Sequence, residues 1–238
     1  MIKITQDFHT HSKYSKLNHG KNTIEEVVLA AIDKGLETIA ITDHAPEHPF
    51  GVWRWKLKKR KAEIESLRTK YPQIKILCGL ETNLVSDFGK IDINKKQREN
   101  LDICLMGFHR AGGLFRHLCY AIKMMFVGKN RTQKNTDSYI RAIERNQINI
   151  ITHPKQYVDV DCGRLAKAAA EHGVLIEINN RHLCYTESDV KAMLATKCKF
   201  VVDSDAHRAK DVGTFDNAIA FIEKYNIQID RIVNAKRD

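Results

Sequence analysis

Seven short apolar runs recur along the 238 residues, and most are followed by a polar turn and then a helical pattern. They fall at 3–8, 38–42, 74–80, 101–107, 148–152, 174–178 and 200–203. The stretches ILCGL, INIIT and VLIEI are apolar without alternation, as expected of strands covered on both faces. Strands of that kind pair in parallel and need helical crossovers between them. The chain supplies the crossovers. Thr23 and Glu26 have capping-box spacing, Val27, Val28, Ala31 and Ile32 make one apolar stripe, and Gly35 ends it. The segment 161–172, followed by Gly173, reads the same way. Further helices are expected at 55–70, 136–146, 187–195 and 216–225. No repeat, low-complexity tract or Pro-rich linker divides the chain, so a single α/β domain over 1–238 is expected.

Bulk properties narrow the function class. A chain of this length can close an α/β barrel and bury a sizeable core without covalent staples. The cysteines at 78, 104, 119, 162, 184 and 198 contain no C-x-x-C pair, and most lie in apolar runs. Free thiols and a cytoplasmic location are expected. The longest apolar candidate, 114–127, is interrupted by Arg116, His117 and Lys123, so no membrane span is expected. The formal charge of +10 suits nucleic acid, an anionic membrane, a small phosphorylated substrate, or simply a solvated basic face. Much of the excess sits at 54–61 and 110–134.

The chemistry lies at the ends of the strands. Six of the eleven histidines fall in the segments DFHTH (7–11), TDH (42–44), GFH (107–109), THP (152–154) and DSDAH (203–207), and GLET (79–82) adds Glu81. In a parallel α/β barrel these loops share one rim, so residues spread over the chain converge. Neutral imidazole is the commonest protein ligand for transition metals, and carboxylates complete such sites. Glu81 is placed to bridge two ions, and Asp7 to orient an imidazole. Taken singly, each motif is an ordinary strand end. Taken together they predict a multinuclear metalloenzyme.

The set DFHTH, TDH, GLETN, GFH, THP, EINN and SDAH, in this order, resembles the PHP (polymerase and histidinol phosphatase) superfamily, and most closely its stand-alone YcdX-like phosphatase branch. The resemblance runs from Asp7 to about Asp211 and implies a distorted (β/α)7 TIM-like barrel. It also implies three divalent metal ions, drawn from zinc, manganese or iron. Carried over residue by residue, His9, His11, Glu81 and Asp205 would bind the first. Glu81, His109 and His153 would bind the second, and His19, His44 and His207 the third. His19 stands farther from His11 than the family pattern leads one to expect. Asp43 is expected to hydrogen-bond rather than ligate.

Glu81, Asp205 and His207 are the implied catalytic residues, serving a metal-bound hydroxide that attacks phosphorus. Arg181 and Arg208, followed by Arg110 and Lys155, are candidates for gripping phosphate, since a guanidinium donates two parallel hydrogen bonds. His48, His117, His172 and His182 receive no role beyond a helix-end position for His172. Trp53 and Trp55 are read as core or pocket lining.

The expected activity is hydrolysis of a small-molecule phosphomonoester in the manner of a histidinol phosphatase. A nuclease or phosphodiesterase acting on nucleic acid is the alternative, and an inactive metal-binding scaffold the third. The segment 110–135 is long for a strand-to-helix connection and reads equally as a flap, a lid or a homo-oligomer contact.

Overall fold

The structure, a computed structural model, describes residues 2–110, 118–125 and 128–237. Its first apolar run resolves into two strands, β1 (Ile2–Ile4) and β2 (Gln6–Asp7). From β2 onward the chain builds one parallel sheet in sequence order. It continues through β3 (Thr38–Ile41), β4 (Lys75–Asn83), β5 (Ile103–Gly107), β6 (Ile150–Ile151), β7 (Leu175–Asn179) and β8 (Phe200–Asp203). The ends of the sheet meet. Phe8 N–H donates to the Asp203 carboxylate (2.6 Å), and Thr10 and Ala206 form a parallel bridge just beyond it. The result is the seven-stranded barrel that the sequence leads one to expect. β1 is a departure. It leaves the barrel and pairs antiparallel with β9 (Ala235–Arg237), a partner too far along the chain for a local pattern to announce. Asn234 ties that end to the seam, its amide donating to the carbonyls of Gln6 and Val202.

Helices cover the outside. α1 (Ile24–Asp33) carries the expected capping box: Glu26 N–H donates to Thr23 Oγ1 (3.0 Å) and Thr23 N–H to the Glu26 carboxylate (2.7 Å). Val27, Val28 and Ala31 are buried, and Ile32 sits half-buried at the edge of the stripe. α2 (Leu57–Lys70) follows a 3-10 turn over Arg54–Lys56. The short α3 (Lys95–Arg98) and, within the 110–135 segment, α4 (Leu118–Met124) add to the helices expected. α5 (Lys129–Arg145) begins seven residues before the expected 136, because its first two turns are polar all round and show no stripe. α6 (Cys162–His172) is capped by Asp161 and closed by Gly173 in the left-handed region (φ 66°). α7 (Glu187–Leu194) and α8 (Asp216–Lys224) fall where the periodicity puts them.

Strand parity separates the layers. Ile39, Ile41, Ile76, Cys78, Met106 and Val202 join the main core beneath the helices, whereas Ala40, Ile103, Leu105, Ile150 and Val201 form a smaller cluster inside the barrel. The inward parity that places Leu77 against that cluster also turns Gly79, Glu81 and Asn83 inward as β4 climbs. Likewise β7 brings in Leu175, then Glu177 and Asn179. The lower barrel is therefore apolar and its upper end polar. Every described cysteine is a free thiol, and no described helix is long and apolar enough to cross a membrane. Of the 110–135 segment, 111–117 and 126–127 lie outside the described residues, and with them His117.

Candidate metal centre

At the upper end Glu81 occupies the middle of a histidine cluster. Its Oε1 lies 2.9 Å from His153 Nε2 and 3.1 Å from His109 Nε2. Its Oε2 lies 2.8 Å from His44 Nδ1, 3.3 Å from His9 Nε2 and 3.6 Å from His11 Nε2. Asp205 closes the other side, its Oδ1 being 3.5 Å from His11 Nε2, 3.7 Å from His9 Nε2 and 3.4 Å from His207 Nδ1. His207 Nε2 is 2.8 Å from His19 Nε2. All nine side chains singled out as metal donors thus meet in one connected cluster. Two of them, His153 (φ 31°) and Asp205 (φ 53°), sit in the left-handed region, a backbone strain that tends to accompany functional sites.

His19 reaches the cluster through a tight loop. Leu17 and Asn18 adopt positive φ (53° and 57°), and Gly20 packs directly on the backbone of Ser12. A Cβ on Gly20 would stand 2.2 Å from the Ser12 carbonyl oxygen, so the eight-residue gap after His11 closes only with glycine there. Gly20→Ala is expected to displace His19 and lower the metal-to-protein ratio of purified protein, measured by elemental analysis. An unchanged ratio would contradict this role for the loop.

Partners behind the rings set their tautomers, and this tests whether the cluster suits metal. His9 Nδ1 lies 2.7 Å from the Glu177 carboxylate and His109 Nδ1 lies 2.6 Å from Asn83 Oδ1. Both ring nitrogens must therefore carry the hydrogen, which leaves each Nε2 a lone pair. Those lone pairs face the carboxylate oxygens of Glu81. Acceptor against acceptor in a buried site repels unless a cation stands between them. His11 Nδ1, His153 Nδ1 and Glu81 Oε2 are likewise buried without a hydrogen-bond partner. The donor set of imidazoles and carboxylates fits divalent transition ions. Five described groupings bring such donors together: His9–His11–Asp205, Glu81–His109–His153, His11–His44–His207, His9–His153–Glu177 and His44–His48–His109.

Electrostatics agree. Burial opposes charge on Glu81, yet His109, His9 and His44 hold its carboxyl well below the usual range. Burial likewise opposes charge on Asp205, which His9, His11 and His207 keep ionised. Burial opposes charge on His9 too, but the carboxylates of Glu81, Asp205 and Glu177 prevail and raise its pKa. Burial depresses His11 and His44 strongly and brings His19 to about 4, which keeps these imidazoles neutral and able to ligate.

Several contributors escaped the sequence reading. Asp7 orients no ring. Its carboxylate accepts backbone N–H groups of His9, Ser204 and Gly213, while Glu177 holds the ring of His9. The signal for Glu177 was its inward parity in VLIEI. Asp92 accepts from both Asn83 N–H and Asn83 Nδ2 (2.9 and 3.0 Å), turning the amide oxygen toward His109. Burial raises Asp92 to about 7.

Asp43 is a hydrogen-bonding anchor, as expected. It accepts from Ser12 N–H, the hydroxyls of Ser12 and Ser15, and Arg60 Nε (2.8 Å). Arg60, read as part of a basic face, is instead 1% exposed and also donates to the carbonyls of Ile41 and Gly79. His48 is buried and stacked on His44 (4.0 Å between centroids). Its Nδ1 accepts the Phe50 N–H, so its Nε2 carries a hydrogen and acts as a donor, not a ligand. His182 Nδ1 accepts from Gln156, leaving Nε2–H 3.5 Å from Asp205.

The phosphate candidates divide. Arg181 donates to the Asp205 carbonyl (3.1 Å) and abuts His207, and with Arg208 it lines an open cavity of about 490 Å³ beside His19 and His207. Arg110 is exposed, its guanidinium 5.3 Å from the centre of the Tyr157 ring. Lys155 is held by Asp189 (3.0 Å) and Asp159 (3.1 Å). Trp53 and Trp55 belong neither to the core nor to that cavity. They stack on each other at the surface (4.6 Å), with Lys16 over Trp53.

A sequence profile of the PHP domain matches residues 7–182. The chain belongs to the PHP domain family. Relatives of this PHP domain match over nearly its whole length. A protein of Caldanaerobacter subterraneus described as a probable phosphatase is 31% identical, covering 100% of this chain and 89% of its own. Another so described, from Tolumonas auensis, is 30% identical over 96% and 88%. Among solved structures, the histidinol phosphate phosphatase of Lactococcus lactis, complexed with zinc, L-histidinol and phosphate, superposes with a TM-score of 0.65. It covers 94% of each chain at 19% identity, a likeness of fold.

Proposed function

We propose that this PHP domain is a metal-dependent phosphatase that hydrolyses a small-molecule phosphomonoester at a trinuclear site. The observation that carries the reading is the convergence of imidazoles on Glu81 with lone pairs facing carboxylate oxygens. His9, His11, Glu81 and Asp205 would hold one ion, Glu81, His109 and His153 a second, and His19, His44 and His207 a third, as zinc, manganese or iron. Bound divalent ions supply Lewis acidity, lowering the pKa of water toward ~7 and stabilising charge on phosphoryl oxygens.

The chain itself binds and orients. Arg181, fixed by the Asp205 carbonyl, presents its remaining N–H groups to a phosphate entering beside His207, and Arg208 flanks the same cavity. His48 offers a neutral N–H donor next to His44 and His109, suited to a non-bridging phosphate oxygen. His48→Phe is expected to weaken inhibition by inorganic phosphate by about tenfold, the value of a hydrogen bond to a charged group, with metal content retained. His48→Gln, which keeps a donor, should lose less. Loss of metal in both variants would make His48 a ligand and refute the donor role.

Phosphodiester cleavage in nucleic acid is the second reading, favoured by the +10 charge and the exposed Trp53–Trp55 stack, to which a base could add. Hydrolysis of p-nitrophenyl phosphate and its bis ester, before and after chelation, separates the two. Chelator-sensitive preference for the monoester supports the phosphatase. A preference for the diester that collapses with salt would move the assignment to nucleic acid.

A further inference from the structure

Beside the metal cluster two loops carry like charges against one another. The loop after His19 bears Lys21, and the loop after His207 bears Arg208 and Lys210. They are stitched together: Lys21 N–H donates to the His207 carbonyl (2.9 Å) and Ala209 N–H to Asn22 Oδ1 (2.8 Å). The cavity lined by His19, Arg181 and His207 shares Lys21 and Arg208 with a second one of about 470 Å³, which Lys210 also lines. Elsewhere on the surface cations do find acids, as Lys70 finds Glu25 and Lys236 finds Glu37. Among the described residues none of Lys21, Arg208 and Lys210 has a carboxylate partner. Among the described residues, Asp211 is the one acid on either wall. Holding unpaired cations together costs the fold stability unless an anion compensates.

Resting on the phosphomonoesterase reading, we propose that this groove binds a second anionic group of the substrate. The scissile phosphate would lie by His19, His207 and Arg181, and a second phosphate or a carboxylate by Lys21, Arg208 and Lys210. The preferred substrates are then small metabolites with two anionic groups, and a neutral leaving group forgoes the outer contacts. Screening of exposed cations makes the preference strongest at low ionic strength.

Two matched pairs test this with the metal-loaded full chain: fructose 1,6-bisphosphate against fructose 6-phosphate, and 3-phosphoglycerate against glycerol 3-phosphate. At least one doubly anionic member should be preferred by about tenfold in kcat/KM, carried mainly by KM, as hydrogen bonds to charged groups imply. The pair showing the preference identifies the second group as phosphate or carboxylate. The double variant Lys21→Gln/Lys210→Gln should erase most of that preference while losing far less on p-nitrophenyl phosphate and keeping its metal content. Hydrolysis of all four esters without discrimination, or a preference that survives the double variant, would overturn the groove assignment alone. Inactivity toward every monoester by metal-replete protein would overturn the phosphatase reading and the groove with it.

Discussion

Glu81→Gln is expected to reduce phosphatase activity by at least about a thousandfold, the scale lost when electrostatic stabilisation of a transition state is removed. The reason is geometric. Both carboxylate oxygens of Glu81 lie within 3.1–3.3 Å of ring nitrogens from separate loops, those of His109 and His9, and the same group approaches His44 and His153 more closely still. An amide keeps the shape but loses the charge and one acceptor. Metal content should fall together with activity, since Asp205 would then be the one charged carboxylate left among the proposed ligands to offset bound cations. The fold should survive, because the variant relieves a buried charge rather than opening a cavity. A Glu81→Gln protein with full metal content and near-normal kcat would show that the cluster is not organised around this carboxylate.

Arg60→Met carries the largest expected effect on stability. Arg60 and Asp43 form an ion pair with both side chains almost completely buried, and the guanidinium also satisfies two strand carbonyls. Breaking such a pair leaves an uncompensated charge in the core and costs about 3–5 kcal/mol. For a chain of this size that corresponds to a Tm lower by roughly 10 °C. The damage should also reach the metal cluster, because Asp43 anchors Ser12 and Ser15 in the loop between His11 and His19. Asp43→Asn combined with Arg60→Met removes both charges and should recover part of the lost stability. Differential scanning calorimetry of the metal-free forms reads the first effect and metal titration the second. A Tm within a degree or two of wild type would contradict the strut.

Much of the barrel is legible in the sequence because parallel strands are covered on both faces and therefore read as uninterrupted apolar runs. Where such a run ends in His or an acid, the barrel rim is the natural place for it. That logic points to His9, His11, His44, Glu81, His109, His153, Asp205 and His207 from the sequence alone. Local hydrogen bonding made Thr23 and Asp161 readable as caps. What escaped depends on contacts distant in sequence. Arg60 lies in a run rich in lysine, and only Asp43, across the helix–strand interface, distinguishes it from its solvated neighbours. β1 finds its partner at the far end of the chain. Glu177 hides within an apolar run because its carboxylate is satisfied by His9 and by the His153 N–H. His48 differs from a ligand only through the Phe50 N–H that occupies its Nδ1. The return of His19 depends on how closely Gly20 can approach Ser12, a steric fact with no trace in spacing.

On the proposed function, the lone pairs gathered around Glu81 hold metal ions that the reaction requires. Elemental analysis of the purified wild-type chain, followed by chelation and stepwise return of zinc, manganese or iron, tests it most directly. About three ions per chain are expected, a number suited to the donors available, with monoesterase activity lost on chelation and restored with the metal. Protein that holds no metal, takes none up, and hydrolyses phosphomonoesters undiminished in the presence of chelator would contradict it.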